Sequence, residues 1–400
     1  MPVAKDLPKD SAKWKSESSS LVWKSIHEYG LACSGSEISR DQYLLLRTLW
    51  VVHDAGDLYT HDRPHWITAL SFEKAQQFLS SSAIALIWKQ FLMSTVTPPK
   101  TLEDLGYANL HTFSLVRYHQ AQSQGLSSEA NDSAKVDMSP IAKRTRNQLK
   151  QRVAGHSSPT PGPKLSGLEQ SVEKLNLSGS VPNEPLTTPE RGGSGSLFRS
   201  PGDLYSPFED PKVFKAIQDE QIVNTALIEY LNALAIHCTE LKANWTLHRL
   251  PLIARDHQGT KTYEARVDGY LRRRRDGQPL AIIEVKPFMR SAKWKAIRMQ
   301  ESAQMAAWIN RYPPDVSHIR GTGQKIRRLL ISQDRHWIYL NFAAFDANYV
   351  DYIRDKQGID LNAVSFLEMH EYGPFDVGNQ LDMSRLGELV LGYALKECGP

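Results

Sequence analysis

The sequence predicts an α/β protein. Its second half reads as a helix, a three-strand meander, a helix, two strands and closing helices, preceded by a small helical domain and a disordered linker. Three observations predict this. A long amphipathic stretch at residues 219–236 is followed by runs rich in β-branched residues. The first 119 residues carry apolar side chains at helical spacing instead. Between the two, residues 120–197 contain no Phe, Tyr or Trp. The expected division is therefore 1–119, 120–200 and 201–400.

Composition sets the outer bounds. With 400 residues, 41% of them hydrophobic and 23% charged, the chain can bury cores for two ordinary domains. A net charge of +4 favours an anionic partner only weakly, so local clustering has to identify one. Cys33, Cys238 and Cys398 are far apart and form no CxxC pair, which excludes a zinc ribbon or disulfide framework and suits a reducing compartment. The first 23 residues lack a signal-type apolar run, and residues 83–93 are too short to span a bilayer. Neither secretion nor a membrane segment is expected.

In residues 21–110 the spacings Tyr43, Leu46, Trp50 and Phe72, Gln76, Leu79 predict helices, with Pro64 and the Pro98-Pro99 pair as breakers. His53, Asp54, Asp57, His61, Asp62 and His65 match no metal-ligand spacing and read as surface or capping residues. The aromatic-free stretch cannot offset its ordering entropy by burial and reads as a linker. It holds a basic cluster, Lys143, Arg144, Arg146, Lys150 and Arg152, of the kind used in nuclear import or nucleic-acid contact; a solvated charge run is the competing reading. A nuclear location, or else a cytoplasmic one, is the corresponding expectation.

In the second half, Ile222, Ala226, Ile228, Tyr230, Ala233 and Leu234 line one side of the 219–236 helix. Residues 245–254, 261–273 and 279–286 read as strands, with Asp276-Gly277 as turn chemistry. Residues 292–311 read as a helix, 326–332 and 336–342 as strands, and 346–354 and 381–396 as helices.

The strongest chemical signal is Ala281–Pro287, AIIEVKP. Ile282 and Ile283 must point to opposite faces, which marks a strand covered on both sides. Glu284 and Lys286 then continue a buried row, which is costly unless they meet partners, a metal or a substrate. Asp268 lies on the preceding strand. A three-residue loop at 276–278 sets it opposite Lys286 and on the same face as Glu284; a two-residue loop sends the two carboxylates to opposite faces. A bulge would adjust either count.

Asp268, the spacing to Glu284-Val285-Lys286, and a preceding helix that carries Glu220 together resemble the PD-(D/E)XK, or restriction-endonuclease-like, nuclease superfamily, and the surrounding stretch is similar to nuclease-like domains of filamentous fungi. Val267 stands where many members have proline. The resemblance covers roughly the last half of the chain and implies that fold. It also implies hydrolysis of DNA by metal-activated water, leaving a 5′-phosphate. Asp268, Glu284, the Val285 carbonyl and Glu220 would hold Mg2+, with Mn2+ as a substitute, and Lys286 would act on the water and the transition state. Gln304 with Trp308 looks like the helical glutamine motif of exonuclease-like branches.

Hard oxygen donors suit Mg2+, and a cation also relieves the repulsion between two close carboxylates. Arg272, Arg273, Arg274 and Arg275, then Arg290, Lys293, Lys295, Arg298 and Gln300, are the expected contacts to nucleic-acid phosphates; a solvated tip or a polar helix stripe is the competing reading. DNA is the expected partner, with RNA and a homodimer left open. A silent nucleic-acid-binding module of the same fold, and a scaffold that binds a protein through residues 1–119, are the alternative functions.

Overall fold

A computed structural model of the chain describes residues 6–21, 24–29, 33–95, 110–126, 211–361 and 364–399. Its strands are β1 Cys33–Ser34, β2 Thr48–His53, β3 Ala243–Thr246, β4 Pro251–Arg255, β5 Lys261–Arg266, β6 Gly269–Arg273, β7 Pro279–Lys286, β8 Ile326–Asp334, β9 Trp337–Phe345 and β10 Leu367–Asp376. The helices used below are α1 Ser11–Glu17, α2 Arg40–Leu45, α3 Ala69–Ser81, α4 Ala85–Ser94, α5 Ser114–Gly125, α6 Pro211–Ala235, α7 Arg290–Arg311, α8 Ala347–Ile353 and α9 Gln380–Cys398.

The protein is mixed α/β. A seven-stranded sheet runs in the order β2-β10-β9-β8-β7-β6-β3, and a smaller sheet in the order β1-β5-β4. Consecutive residues of β7 divide between two cores, as its double apolar pattern requires. Ala281, Ile283 and Val285 join Leu227, Leu231 and Leu234 of α6 and Leu386, Val390 and Tyr393 of α9 in one core. Ile282 joins Ala303, Ala307 and Trp308 of α7 in the other, together with Tyr263 and Ala265 of β5. Glu284 and Lys286 point to the second side, toward α7.

Two expectations fail here for identifiable reasons. The three-strand meander is five strands in two sheets. The expected strand at 261–273 breaks at Val267-Asp268, where the chain leaves the small sheet as β5 and enters the large one as β6. The expected strand at 245–254 breaks likewise into β3 and β4, joined by residues 247–250. The first 119 residues, moreover, are neither all helical nor a domain apart. Residues 48–53 form β2, which pairs in parallel with β10, and the described residues before 127 share one compact unit with those from 215 onward. The local apolar spacing was compatible with a helix, and the pairing that overrides it is more than 300 residues distant in sequence. The expected start of the linker at residue 120 also moves, because α5 continues to Gly125 with Gln120 and Ser123 buried. Residues 127–210, including Lys143, Arg144, Arg146, Lys150 and Arg152, lie outside the described residues.

Candidate active site

The β6–β7 hairpin decides whether the two acids meet. Arg273 and Gln278 close the loop, with Arg273 N–H donating to the Gln278 carbonyl at 2.9 Å, and Arg272 stands opposite Pro279. That four-residue loop alone would have placed Asp268 and Glu284 on opposite faces. The register then shifts, so that Leu271 pairs with Ala281 and Leu280 is left as a bulge. Parity is restored: Gly269 faces Ile283 as the last pair of the ladder, and Asp268, one residue before β6, donates its N–H to the Ile283 carbonyl at 2.9 Å and comes level with Glu284, two residues from the expected partner. Gly269 is required there, since a Cβ on it would meet the Thr246 carbonyl oxygen of β3 at 2.7 Å and Ile228 Cδ1 of α6 at 2.8 Å.

Asp268, Glu284 and Lys286 are brought together. Asp268 Oδ2 accepts from the Val285 N–H at 3.1 Å. In a strand, N–H and C=O of one residue point to the same side, so the Val285 carbonyl lies on the Asp268 side too. Glu284, 3% exposed, is held by three donors: Lys286 Nζ at 2.5 Å and Gln300 Nε2 at 2.6 Å on Oε1, and Gln304 Nε2 at 2.5 Å on Oε2. Gln304 also donates to the Arg266 carbonyl at 2.8 Å, tying the β5–β6 crossover to α7. Glu220 reaches the same place from α6, but through Arg249. One terminal nitrogen of Arg249 lies 2.7 Å from Glu220 Oε1 and 3.0 Å from Asp268 Oδ1.

The electrostatics follow from crowding acids in a buried place. Burial, reinforced by the Glu284 and Glu220 carboxylates, pushes Asp268 up to about 8. Burial works to lower the Lys286 ammonium, but Glu284, Asp268 and Glu220 outweigh it and hold Lys286 above the ordinary lysine range. Arg249 is likewise raised against the effect of burial by Asp268 and Glu220.

As the side chains stand, no group of three or more His, Cys, Asp or Glu among the described residues is placed to hold a metal. The reason at this site is visible, since Arg249 and Lys286 sit between the acids. The donor chemistry nevertheless fits a hard divalent cation: three carboxylates, a backbone carbonyl and no sulfur or imidazole. Beside them, Gln304 Oε1 and Asn224 Oδ1 are buried acceptors with no hydrogen-bond partner among the described residues, suited to the waters that such an ion carries. Asn224 itself steadies the strand by donating to the Asp268 carbonyl at 3.3 Å.

The expected phosphate contacts divide differently. Gln300 faces Glu284 and not a groove. Arg290, 3% exposed, is bound by Asp334 at 2.7 Å, by Glu301 at 2.6 Å and by Glu371, and lies over the Tyr339 ring. Arg298 is held by both Glu371 oxygens, at 3.0 and 2.8 Å, against Trp50 and Trp294. These two arginines are internal ion pairs, and the phosphate reading of them is corrected. Lys295 pairs with Asp6 at 3.1 Å, and Lys293 lies over Phe288. Arg272, Arg273, Arg274 and Arg275 cluster at the far end of β6, about 17 Å along the strand from Asp268. Their expected position beside the acids is therefore also corrected.

Arg249 and Asn224 were missed by sequence reasoning. Arg249 sits in Leu247–Leu250, LHRL, where nothing distinguishes it from a solvated loop charge. In the N-terminal set, His53 Nε2 meets His370 Nδ1 at 3.2 Å, with Asp62 3.7 Å from His53 Nδ1, a pairing of strands β2 and β10. Among the described residues no helix is long and apolar enough to cross a membrane. Comparison with family models, curated proteins and solved structures finds no match to the chain.

Proposed function

We propose that the chain is a divalent-cation-dependent nuclease of restriction-endonuclease-like fold, which hydrolyses DNA phosphodiesters and leaves 5′-phosphates. The observation that carries the reading is the meeting of Asp268, at the entrance to β6, with Glu284 and Lys286 of β7, with Glu284 gripped by Gln300 and Gln304. The order of α6, β6, β7, α7, β8 and β9 supports the fold assignment.

Asp268, Glu284 and the Val285 carbonyl would hold Mg2+ or Mn2+, with Glu220 as a further donor; the ion would supply positive charge to the phosphate oxygens and acidify a bound water. The glutamine amides fix both Glu284 oxygens, so this carboxylate pays little ordering entropy on binding a cation. Lys286, an ammonium held by Glu284 with 12% of its side chain exposed, would donate to a phosphate oxygen where charge grows in the transition state. Gln304 positions Glu284 and is not itself a reacting group.

One observation favours a second reading, a silent nucleic-acid-binding module: Arg249 already balances two of the acids without a metal. Incubating the full chain with linear, circular and single-stranded DNA and with RNA, in Mg2+, Mn2+ or chelator, separates the two. Cleavage that needs metal and is lost in Glu284→Ala supports the nuclease. Equal cleavage by wild type and Glu284→Ala removes this site from the chemistry, and binding without cleavage under every metal supports the silent module. Nuclear residence is the matching proposal for location, tested by imaging a variant in which Lys143, Arg144 and Arg146 are alanine.

A further inference from the structure

The acids of the site are not vacant of positive charge: a guanidinium stands among them. A single nitrogen of Arg249 serves Glu220 and Asp268 at 2.7 and 3.0 Å, so those two oxygens lie within about 6 Å of each other. We propose that Arg249 is a resident cation which a divalent ion must displace, and that this competition sets the concentration at which the site loads with metal. The inference rests on the metal-dependent reading above.

Charge favours the exchange. With Asp268 ionised, Glu220, Asp268 and Glu284 face Arg249 and Lys286 with one negative charge in excess, and a dication in place of Arg249 brings the group to neutrality; where Asp268 still holds its proton, the entering ion releases that proton as well. Size allows it as well. Oxygens now at 2.7 and 3.0 Å from a nitrogen would close to about 2.0–2.1 Å from Mg2+, a movement of under about 1 Å each.

The displaced side chain also has a way out. Arg249 belongs to the short connection between β3 and β4, next to the exposed Leu247 and His248, and its own side chain is 23% exposed. Arg290 provides the contrast. It too bridges acidic side chains, but at 4% side-chain exposure and held by three carboxylates it has nowhere to go. Because a competitor bound within the same molecule lowers apparent affinity by the fraction of time it occupies the site, removing it must tighten metal binding.

The test is Mn2+ titration of the full chain by calorimetry without nucleic acid, on wild type, Arg249→Ala, Arg249→Lys and Glu284→Ala. Arg249→Ala is expected to bind at least tenfold more tightly than wild type, with Arg249→Lys between them and Glu284→Ala without the site. If wild type binds Mn2+ in a Glu284-dependent way but Arg249→Ala binds no more tightly, the displacement idea is overturned and the metal reading stands. If neither binds at all, the metal reading itself fails and takes the inference with it. Should Arg249→Ala not fold, guanidino 15N spectra of wild type replace it, with the Arg249 signal assigned by its loss in Arg249→Lys. Saturating Mg2+ is expected to shift that signal, and an unmoved signal overturns the inference.

Discussion

Replacing Arg290 by alanine would leave Asp334, Glu301 and Glu371 facing one another with only Arg298 to balance them. With all three acids ionised, the five side chains carry one net negative charge now and would carry two afterwards, all at side-chain exposures of 0–14%. Breaking a buried pair by removing one partner costs about 3–5 kcal/mol. Here three ion pairs and the packing on Tyr339 go together, so the upper part of that range applies, less what the acids recover by taking up protons. The expected loss is about 4–5 kcal/mol, a large share of the roughly 5–15 kcal/mol that folds an ordinary domain. Urea unfolding followed by tryptophan fluorescence would measure it. Arg290→Met combined with Glu301→Gln should recover about 1–2 kcal/mol relative to Arg290→Ala, because apolar or neutral replacement of a whole pair is far cheaper than stranding one member. The phosphate reading of Arg290 predicts something else: unchanged stability, weaker DNA binding and a salt slope lower by about one. That outcome would refute the buried-network argument.

Glu301 gives a pH signature. Burial, with Asp334 and Glu371 nearby, pushes it from the usual range up to about 7 against the pull of Arg290. Its folded value is raised, so the stability it contributes is present below about pH 4.5 and is lost as pH climbs through 7. Relative to Glu301→Gln, wild type should lose up to about 3 kcal/mol between pH 4.5 and 8, and parallel pH profiles would exclude the shift. Gly269→Ala should cost about 1–3 kcal/mol, since its Cβ would press on the Thr246 backbone; a variant as stable as wild type would show that β3 can move away freely. Arg275→Ala, at the exposed hairpin tip, should change stability by less than about 0.5 kcal/mol and leave metal affinity unaltered, and a tenfold change in that affinity would place the tip nearer the acids than the strand length allows.

The parts legible in the sequence are those whose evidence is local. Residues 279–286 announce a central strand because the consecutive apolar pair and the terminal charges sit side by side, and α6, β8, β9 and α9 emerge with their ends shifted by a few residues, α6 most at its N-terminus. The carboxylates at 268 and 284 were readable as partners only up to the parity of one hairpin, which the bulge at Leu280 decides. Nothing local marks β10. Its inward row Leu367, Met369, Glu371 is interrupted by a glutamate whose neutralising arginines lie 81 and 73 positions earlier. A still longer separation hides β2 from β10, whereas Arg249 is hidden from Asp268 by the turn of the chain through β4 and β5 that lies between them. Reading a basic residue as a phosphate ligand assumes that its anion is absent from the chain; at Arg290 and Arg298 the shared anion Glu371 is present but far away in sequence, and the nearer Glu301 stands out only once α7 is folded.

Helix α7 explains why the two charged groups differ in kind while sharing one scaffold. Gln300 and Glu301 are adjacent, so they point about a quarter-turn apart, the first to Glu284 and the second to Arg290. Below them β7 and β8 set Lys286 beside Asp334 in register, and the Arg335 N–H donates to the Lys286 carbonyl at 2.9 Å. The Arg290 group therefore anchors the start of α7 to the end of β8 and the middle of β10, and that anchoring fixes where Gln300 and Gln304 meet Glu284. The sealed group carries its countercharge on side chains that cannot leave. The more open one draws part of its countercharge from Arg249, a loop arginine that is 23% exposed, and it is there that the proposed exchange for an ion is to be tested.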